Sequence, residues 1–387
     1  MRCQASGGRY RKMLFQTTKY AMMQRVRFIV REWNMKTMNI DIEETGGENR
    51  RISSLTKDMP EVLFAPLEGL TTRVYRDVWR RHYTGVSFFY TPFLAAAQTH
   101  HFQTRELREI EPYQEDVIPQ LLGNHAEDLL WALHTLRDRG YSRVDLNLGC
   151  PYPTVFAKGK GSGLLADLPR LAALLDQIFE DPDLPEISVK TRIGIRDPQE
   201  VREITRVLAG YPLAQVTIHP RVREQFYEGQ PDMEAFQVMK DGLNCPVCYN
   251  GDLKTPEAVR DFAGRYPDVK QVMIGRGLLA DPMLAEKLAG PEPEAEMTGA
   301  ERGTAVPPEA GERTVPAEEK HRLTAFLDDL KAAYLVTFSG DRSTLFKLKE
   351  MWGYLGTRFP EYRRELLDIK KAKKLSEYEM AVQKILA

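Results

Sequence analysis

Cysteine is scarce in this chain: four in 387 residues, at Cys3, Cys150, Cys245 and Cys248. So sparse a set cannot build the disulfide framework of a small secreted domain, and it points to a reducing compartment. Net charge is nearly absent as well, at -1 with an isoelectric point near 6.7. That excludes a protein basic throughout and confines any nucleic-acid surface to a local patch. No apolar run approaches the roughly 18 residues of a membrane span. The polar N-terminus also lacks the apolar core of a secretory signal. These absences predict a cytoplasmic protein with no membrane contact. The C-x-x-C at Cys245 and Cys248 suggests a redox pair or half a zinc site, but the sequence supplies no second ligand pair. Both cysteines read as wall residues, and no metal is expected.

The length suits one barrel of about 250 residues with an appendage. Residues 1–58 show no clear period and read as a poorly ordered extension, although 20–38 would make a basic amphipathic helix. From residue 59 to 289 short apolar runs recur at 62–67, 86–90, 117–122, 143–148, 187–191, 214–219, 246–250 and 270–274. Amphipathic stretches lie between them, as at 126–139, 168–180, 198–210 and 255–264. Eight strands alternating with helices predict a (β/α)8 TIM barrel. A doubly wound open sheet is the alternative, against which the first strand is not followed by a GxGxxG turn. Residues 290–319 are rich in Pro, Glu, Gly and Ala and read as an acidic linker. Residues 320–387 are helical again, as a small all-helical domain of three helices, 321–338, 342–359 and 362–386. That region carries fourteen Lys/Arg against nine Asp/Glu. Its cluster Lys370, Lys371, Lys373 and Lys374, with Tyr334, Trp352, Tyr354 and Tyr362, suits phosphate contact and base stacking, or else a solvated face beside an aromatic core.

The strand ends carry the chemistry. The fourth run breaks at Gly149 and presents Cys150, followed by a loop with Lys158, Gly159, Lys160, Gly161 and Gly163. A lone cysteine is more often packing than catalysis, but nearly every other run also ends in polar or glycine residues. The first run gives way to Pro66, Leu67, Glu68 and Gly69, the third carries Gln120 and the fourth Asn147. Lys190 and Arg192, then His219 and Arg221, follow in the fifth and sixth. Asn250, Gly251 and Asp252 end the seventh, and Gly275 and Arg276 the eighth. In a barrel these ends meet on one face, where such folds place their sites. Glycines after the last two strands leave backbone N–H groups open to a phosphate, and Arg276 adds charge. Lys190 suits the electron-rich edge of a reduced flavin, and Gln120 its polar edge. The pattern describes FMN, with Cys150 placed as an acid.

From about Val62 to Leu288 the chain resembles the dihydrouridine synthases, FMN-dependent enzymes that reduce uridine in transfer RNA. The resemblance rests on APLEGLT at 65–71, QLLGN at 120–124, DLNLGCP at 145–151 and KGKGSGLL at 158–165. VKTR at 189–192, IHPRVREQFYEG at 218–229, NGD at 250–252 and MIGRG at 273–277 continue it. It implies that Pro66, Leu67 and Glu68 line the flavin and that Gln120, Lys190 and His219 contact it. It further implies that Asn250, Gly251, Asp252, Gly275 and Arg276 hold the phosphate and ribityl end. Cys150 would protonate C5 of the uracil while hydride from flavin N5 reaches C6. Asn147 and Arg221 would lie near the flipped base, and Lys158 and Lys160, on a mobile loop, near the RNA backbone. NADPH or NADH would reload the flavin. The C-terminal helices resemble that family's RNA-binding domain more loosely, so the expected partner is tRNA, bound by a monomer. Leu67 stands where the family commonly has Met. Another FMN barrel reductase acting on a small molecule shares the fold, but has no need of basic C-terminal helices.

Overall fold

The computed structural model describes residues 59–289, 315–338 and 340–387. The expected extension 1–58 and residues 290–314 of the expected linker lie outside the described residues. Strands and helices alternate as β1 (Glu61–Phe64), α1 (Arg73–His82), β2 (Val86–Tyr90), β3 (Leu94–Ala95), α2 (Thr104–Ile110), β4 (Val117–Ile118) and β5 (Gln120–Leu122). They continue as α3 (Ala126–Arg137), β6 (Arg143–Leu148), α4 (Pro153–Phe156), α5 (Leu168–Phe179), β7 (Glu186–Gly194), α6 (Val201–Leu208) and β8 (Gln215–Val222). The barrel ends with α7 (Met233–Gly242), β9 (Val247–Tyr249), α8 (Pro256–Arg265), β10 (Gln271–Ile274), α9 (Arg276–Ala280) and α10 (Leu284–Ala289).

Every strand pairing is parallel. The order runs β3-β5-β6-β7-β8-β9-β10-β1-β2-β4. Its closure depends on one proline. The third apolar run is interrupted at Pro119, which has no N–H to give a ladder. Before it, β4 pairs with β2; after it, β5 pairs with β6. Thr91 N donates to Ile118 O (3.1 Å), and Asp145 N donates to Pro119 O (2.9 Å). One segment therefore joins both edges of the sheet, and the fold is the expected TIM barrel with its third strand split in two. Alternation along β1 sends Val62 and Phe64 outward to the helices and Leu63 and Ala65 inward. The inner group also holds Cys248, wholly buried, as a wall residue.

The C-terminal helices are four, not three: α11 (Ala317–Thr337), α12 (Asp341–Leu355), α13 (Arg363–Lys371) and α14 (Leu375–Leu386). The single helix expected over 362–386 breaks because Ala372 and Lys374 turn extended, and Glu377 accepts hydrogen bonds from Lys373 N (2.7 Å) and Lys374 N (3.3 Å). That is the capping device of a new helix start. The aromatics divide as well. Tyr334 and Trp352 are buried, with Trp352 Nε1 donating to the Tyr378 hydroxyl (2.9 Å), so neither is free to stack on a base. Lys370, Lys371, Lys373 and Lys374 are all exposed.

The last residues assigned to the linker belong to the folded unit. Val315 is buried, α11 starts at Ala317, and Glu319 accepts from Lys287 Nζ (2.8 Å) and Arg358 Nη2 (2.5 Å). Phe326 of α11 is fully buried against Tyr75, His82 and Tyr83 of the barrel. Arg322 pairs with Glu286 (2.7 Å) and lies over the Tyr83 ring (5.0 Å). An apolar plug inside a rim of ion pairs binds the two parts rigidly. We expect barrel and helices to unfold in one calorimetric transition, and Phe326→Ala to lower stability by roughly 3–5 kcal/mol. Two separate transitions in the unaltered protein would contradict this coupling.

Candidate active site

The C-terminal ends of the barrel strands surround a cavity of about 230 Å³. Pro66, Leu67 and Glu68 line it from the loop after β1, Gln120 from β5, and Asn147 and Cys150 from the end of β6. Lys190 comes from β7 and His219 from β8. Asn250, Gly251 and Asp252 follow β9, and Gly275 and Arg276 follow β10. Ten of those thirteen positions sit at or just beyond the C-terminal end of a strand; Gln120 opens β5, and Lys190 and His219 lie in the middle of β7 and β8. Three expected residues do not line the cavity: Lys158, Lys160 and Arg221.

Cys150 is positioned by a chain of hydrogen bonds that starts inside the barrel. Asp145 is fully buried. It accepts from Ser188 Oγ (2.7 Å) and from Gln120 Nε2 (2.7 Å). Gln120 Oε1 accepts from Asn147 Nδ2 (2.8 Å), and Asn147 Oδ1 accepts from the backbone N–H of Gly149 (3.1 Å) and Cys150 (2.9 Å). Burial pushes the Asp145 carboxyl up to about 6, with Gln120 and Ser188 holding it down, so at neutral pH it is an acceptor only. An acceptor-only carboxylate at one end and donor-only N–H groups at the other allow a single orientation of both amides. Each amide NH2 keeps a second hydrogen for the cavity.

The glycine- and lysine-rich loop folds back on the same turn. Ser162 Oγ donates to Cys150 O (2.7 Å), and Gly161 adopts a left-handed φ of +57° at a point where a Cβ would come within 3.0 Å of the Cys150 Cβ. Asn124 Nδ2 donates to Lys158 O (2.8 Å), and Lys160 Nζ donates to Ala96 O (3.1 Å). The segment is thus anchored at three points, with the Lys158 side chain exposed.

The cavity floor is rich in cations. Burial, aided by the neighbouring Arg192 guanidinium, lowers the Lys190 ammonium to about 8. Burial lowers Arg192 to about 10. Burial, with Arg192 and Lys190 next in weight, holds His219 well below its usual range, so its ring is neutral. Burial pushes the Cys150 thiol up, which keeps it protonated at neutral pH. Arg221 is fully buried behind His219: it contacts Nε2 of that ring (3.2 Å), donates to Asp252 (2.6 Å), and donates to Glu228 O (3.1 Å) and Gly229 O (2.6 Å). Asp252 also takes Arg276. Although burial works against it, these two guanidinium groups hold the Asp252 carboxyl below the usual range. Gly251 is required sterically, since a Cβ there would overlap the Tyr249 hydroxyl at 1.9 Å.

Of the other lining residues, Tyr152, Tyr227 and Glu350 carried no sequence signal, and Tyr354 was expected as a stacking aromatic of the C-terminal helices but not as part of this cavity. Tyr152 and Tyr227 flank Cys150 and His219. Glu350 and Tyr354 reach the cavity from α12, some two hundred residues from Cys150 in sequence. The Lys347 ammonium, between Gly69 O (2.8 Å) and Glu350 (2.9 Å), fastens that helix to the loop after β1. Only the folded chain could reveal this wall.

Lys190 is a cation held among cations. It binds protons less readily in the folded state than in the unfolded one, so its cost to stability is complete below about pH 8 and is relieved as pH rises from there towards the ordinary lysine value of 10.5. Lys190→Met is therefore expected to stabilise the ligand-free protein near neutral pH by on the order of 1 kcal/mol while weakening binding of any electron-rich ligand. A lower melting temperature for this variant would contradict the electrostatic reading.

Among the described residues no helix is long and apolar enough to cross a membrane, and no cluster of side chains suits a metal ion. The family model for dihydrouridine synthase (Dus) matches residues 63–347. A probable tRNA-dihydrouridine synthase 1 of Synechocystis is 31% identical over 240 residues, covering 62% of this chain and 66% of that protein. A probable tRNA-dihydrouridine synthase of Rhizobium leguminosarum is 29% identical over 233 residues, covering 59% and 72%. The tRNA-dihydrouridine synthase B of Pasteurella multocida is 26% identical over 226 residues, covering 58% and 67%. With a match running from the first barrel strand into α12, the chain belongs to the dihydrouridine synthase family, and with it to the oxidoreductases.

Proposed function

We propose that this protein reduces specific uridines of transfer RNA to 5,6-dihydrouridine in the cytoplasm, with FMN as resident cofactor and NADPH or NADH as reductant. The observation that carries the reading is the Cys150 thiol in one cavity at the barrel mouth with the buried cations Lys190 and Arg192, where burial favours its protonated form. The donor set fits a flavin: Lys190, Arg192 and the spare hydrogens of Gln120 and Asn147 present a floor of donors with few acceptors, as the electron-rich edge of that ring requires. FMN held there would supply hydride chemistry for C6 of the uracil.

The side chains divide the remaining work. Cys150 gives its proton to C5, which completes the reduction of the double bond; burial favours the neutral thiol until that moment. Lys190 and Arg192 stabilise negative charge that develops on the acceptor. Pro66, Leu67 and Glu68 shape the wall against the ring, and His219, neutral and backed by Arg221, closes the other side. Asn250, Gly251, Asp252, Gly275 and Arg276 form the phosphate end, where the first N–H groups of α9 lack intrahelical acceptors. Asn147 orients the base, while Arg221 acts from behind as a positioning residue. Lys158 and Lys160 lie on the loop that closes on Cys150, on the side where an RNA backbone would approach, and the exposed lysines of α13 and its flank add charge. A uridine inside a stack cannot enter this cavity, so the target base leaves its stack.

The proton and the cofactor use different residues, which gives the test. Purified Cys150→Ala is expected to retain FMN and to oxidise NADPH, yet to form dihydrouridine at least about a hundredfold more slowly. Dihydrouridine formation at the unaltered rate would remove Cys150 from its role.

A further inference from the structure

Three tyrosines from three separate elements meet at the cavity mouth: Tyr152 after β6, Tyr227 after β8, and Tyr354 on α12. Tyr152 is 53% exposed and Tyr227 46%, and Tyr354 is half-buried. Tyr75, Tyr83, Tyr90, Tyr141, Tyr249, Tyr334 and Tyr378 are buried in the core, while Tyr113, 47% exposed, does not line the cavity. Tyr152 is close enough to interact electrostatically with both of the other two.

The fold holds these rings in place. Tyr227 stacks on His219 (6.1 Å between centroids, 27° between planes) and lies against the guanidinium groups of Arg276 (4.8 Å) and Arg192 (5.6 Å). The carbonyl on its N-terminal side, Phe226 O, accepts from Arg192 (2.6 Å), and the one on its C-terminal side, Glu228 O, accepts from Arg221 (3.1 Å). Phe226 is held at a φ of +49° in the process. Tyr354 is fixed by the packing of α12 on α9 and by the Lys347 contact to Gly69. Leaving large rings half in water has a cost unless a ligand covers them. Flat faces at fixed positions, with Arg276 and Lys254 lining the same cavity, match alternating bases and phosphates.

We propose that Tyr152, Tyr227 and Tyr354 form an aromatic collar that stacks on the bases flanking the target base of a single-stranded RNA segment. The proposal rests on the reading of the cavity as an RNA-modifying site, and it adds which residues grip the strand and what they grip. Stacking on any base face is tolerant of sequence, so the collar selects an unpaired stretch of at least two nucleotides rather than a base sequence. Because Tyr354 comes from α12, the helical region contributes to the collar directly.

The test uses the full chain loaded with FMN and two RNA probes of five nucleotides, one carrying bases throughout and one with abasic sites on both sides of the central uridine. By fluorescence anisotropy the unaltered protein should bind the base-bearing probe at least about tenfold more tightly. Each of Tyr152→Leu, Tyr227→Leu and Tyr354→Leu should weaken that probe about fivefold or more while leaving the abasic probe nearly unchanged, since stacking contributes on that scale. The Phe variants, which keep the ring, should retain the preference. Equal binding of both probes by the unaltered protein, failure to bind either, or Leu variants that weaken both alike would overturn the collar. A clear preference for the base-bearing probe without any dihydrouridine formation would sink the proposed reaction and leave the collar standing.

Discussion

A single buried carboxylate, Asp145, links the closure of the barrel to the position of the reactive thiol. Gln120 follows the proline at which the third strand changes partners, and its backbone N–H is taken by Thr91 Oγ1 (3.0 Å) across the seam. Its side chain is held by Asp145 and in turn holds Asn147, which captures the N–H of Cys150. A shift at the seam is therefore felt at the thiol through three hydrogen bonds of 2.7–2.9 Å. All of these groups except Cys150 and Asn147 lie where water does not compete, so each bond is strong and each lost partner is costly.

Above that network the electrostatics are arranged for a ligand. Lys190 and Arg192 are buried side by side with Asp145 as the counter-charge acting on Lys190 and only carbonyls accepting from Arg192, while Asp252 satisfies Arg221 and Arg276. The less compensated half of the cavity is the half next to Cys150. A fold tolerates such a pair only if the rest of the structure supplies the stability, which the barrel core and the plug formed by Phe326 can do. The same imbalance that costs stability would hold an electron-rich ring and quench charge as it forms.

Much of this was legible in the sequence because it is local. Strand ends show as apolar runs stopped by glycine, asparagine or charge, and in a parallel barrel those stops converge by topology alone. Pro119 inside its run already carried the signal for a broken strand. What stayed hidden is non-local. Arg221 reads as a strand-end cation but spends its guanidinium on His219, Asp252 and two carbonyls behind the wall. Tyr334 and Trp352 look identical in sequence to Tyr354, and only helix packing decides that the first two are core and the third faces the cavity. The break at Ala372 has neither glycine nor proline to announce it.

The central claim is that the residues at the barrel mouth hold a flavin and use it on RNA. The direct measurement is to record the visible spectrum of the purified full-length protein, incubate it with NADPH and transfer RNA lacking modifications, and map dihydrouridine by mass spectrometry. The account predicts a bound flavin and an added mass of two hydrogens at defined uridines. A flavin-bearing protein that leaves every uridine unchanged, or a protein unable to bind flavin, would contradict it.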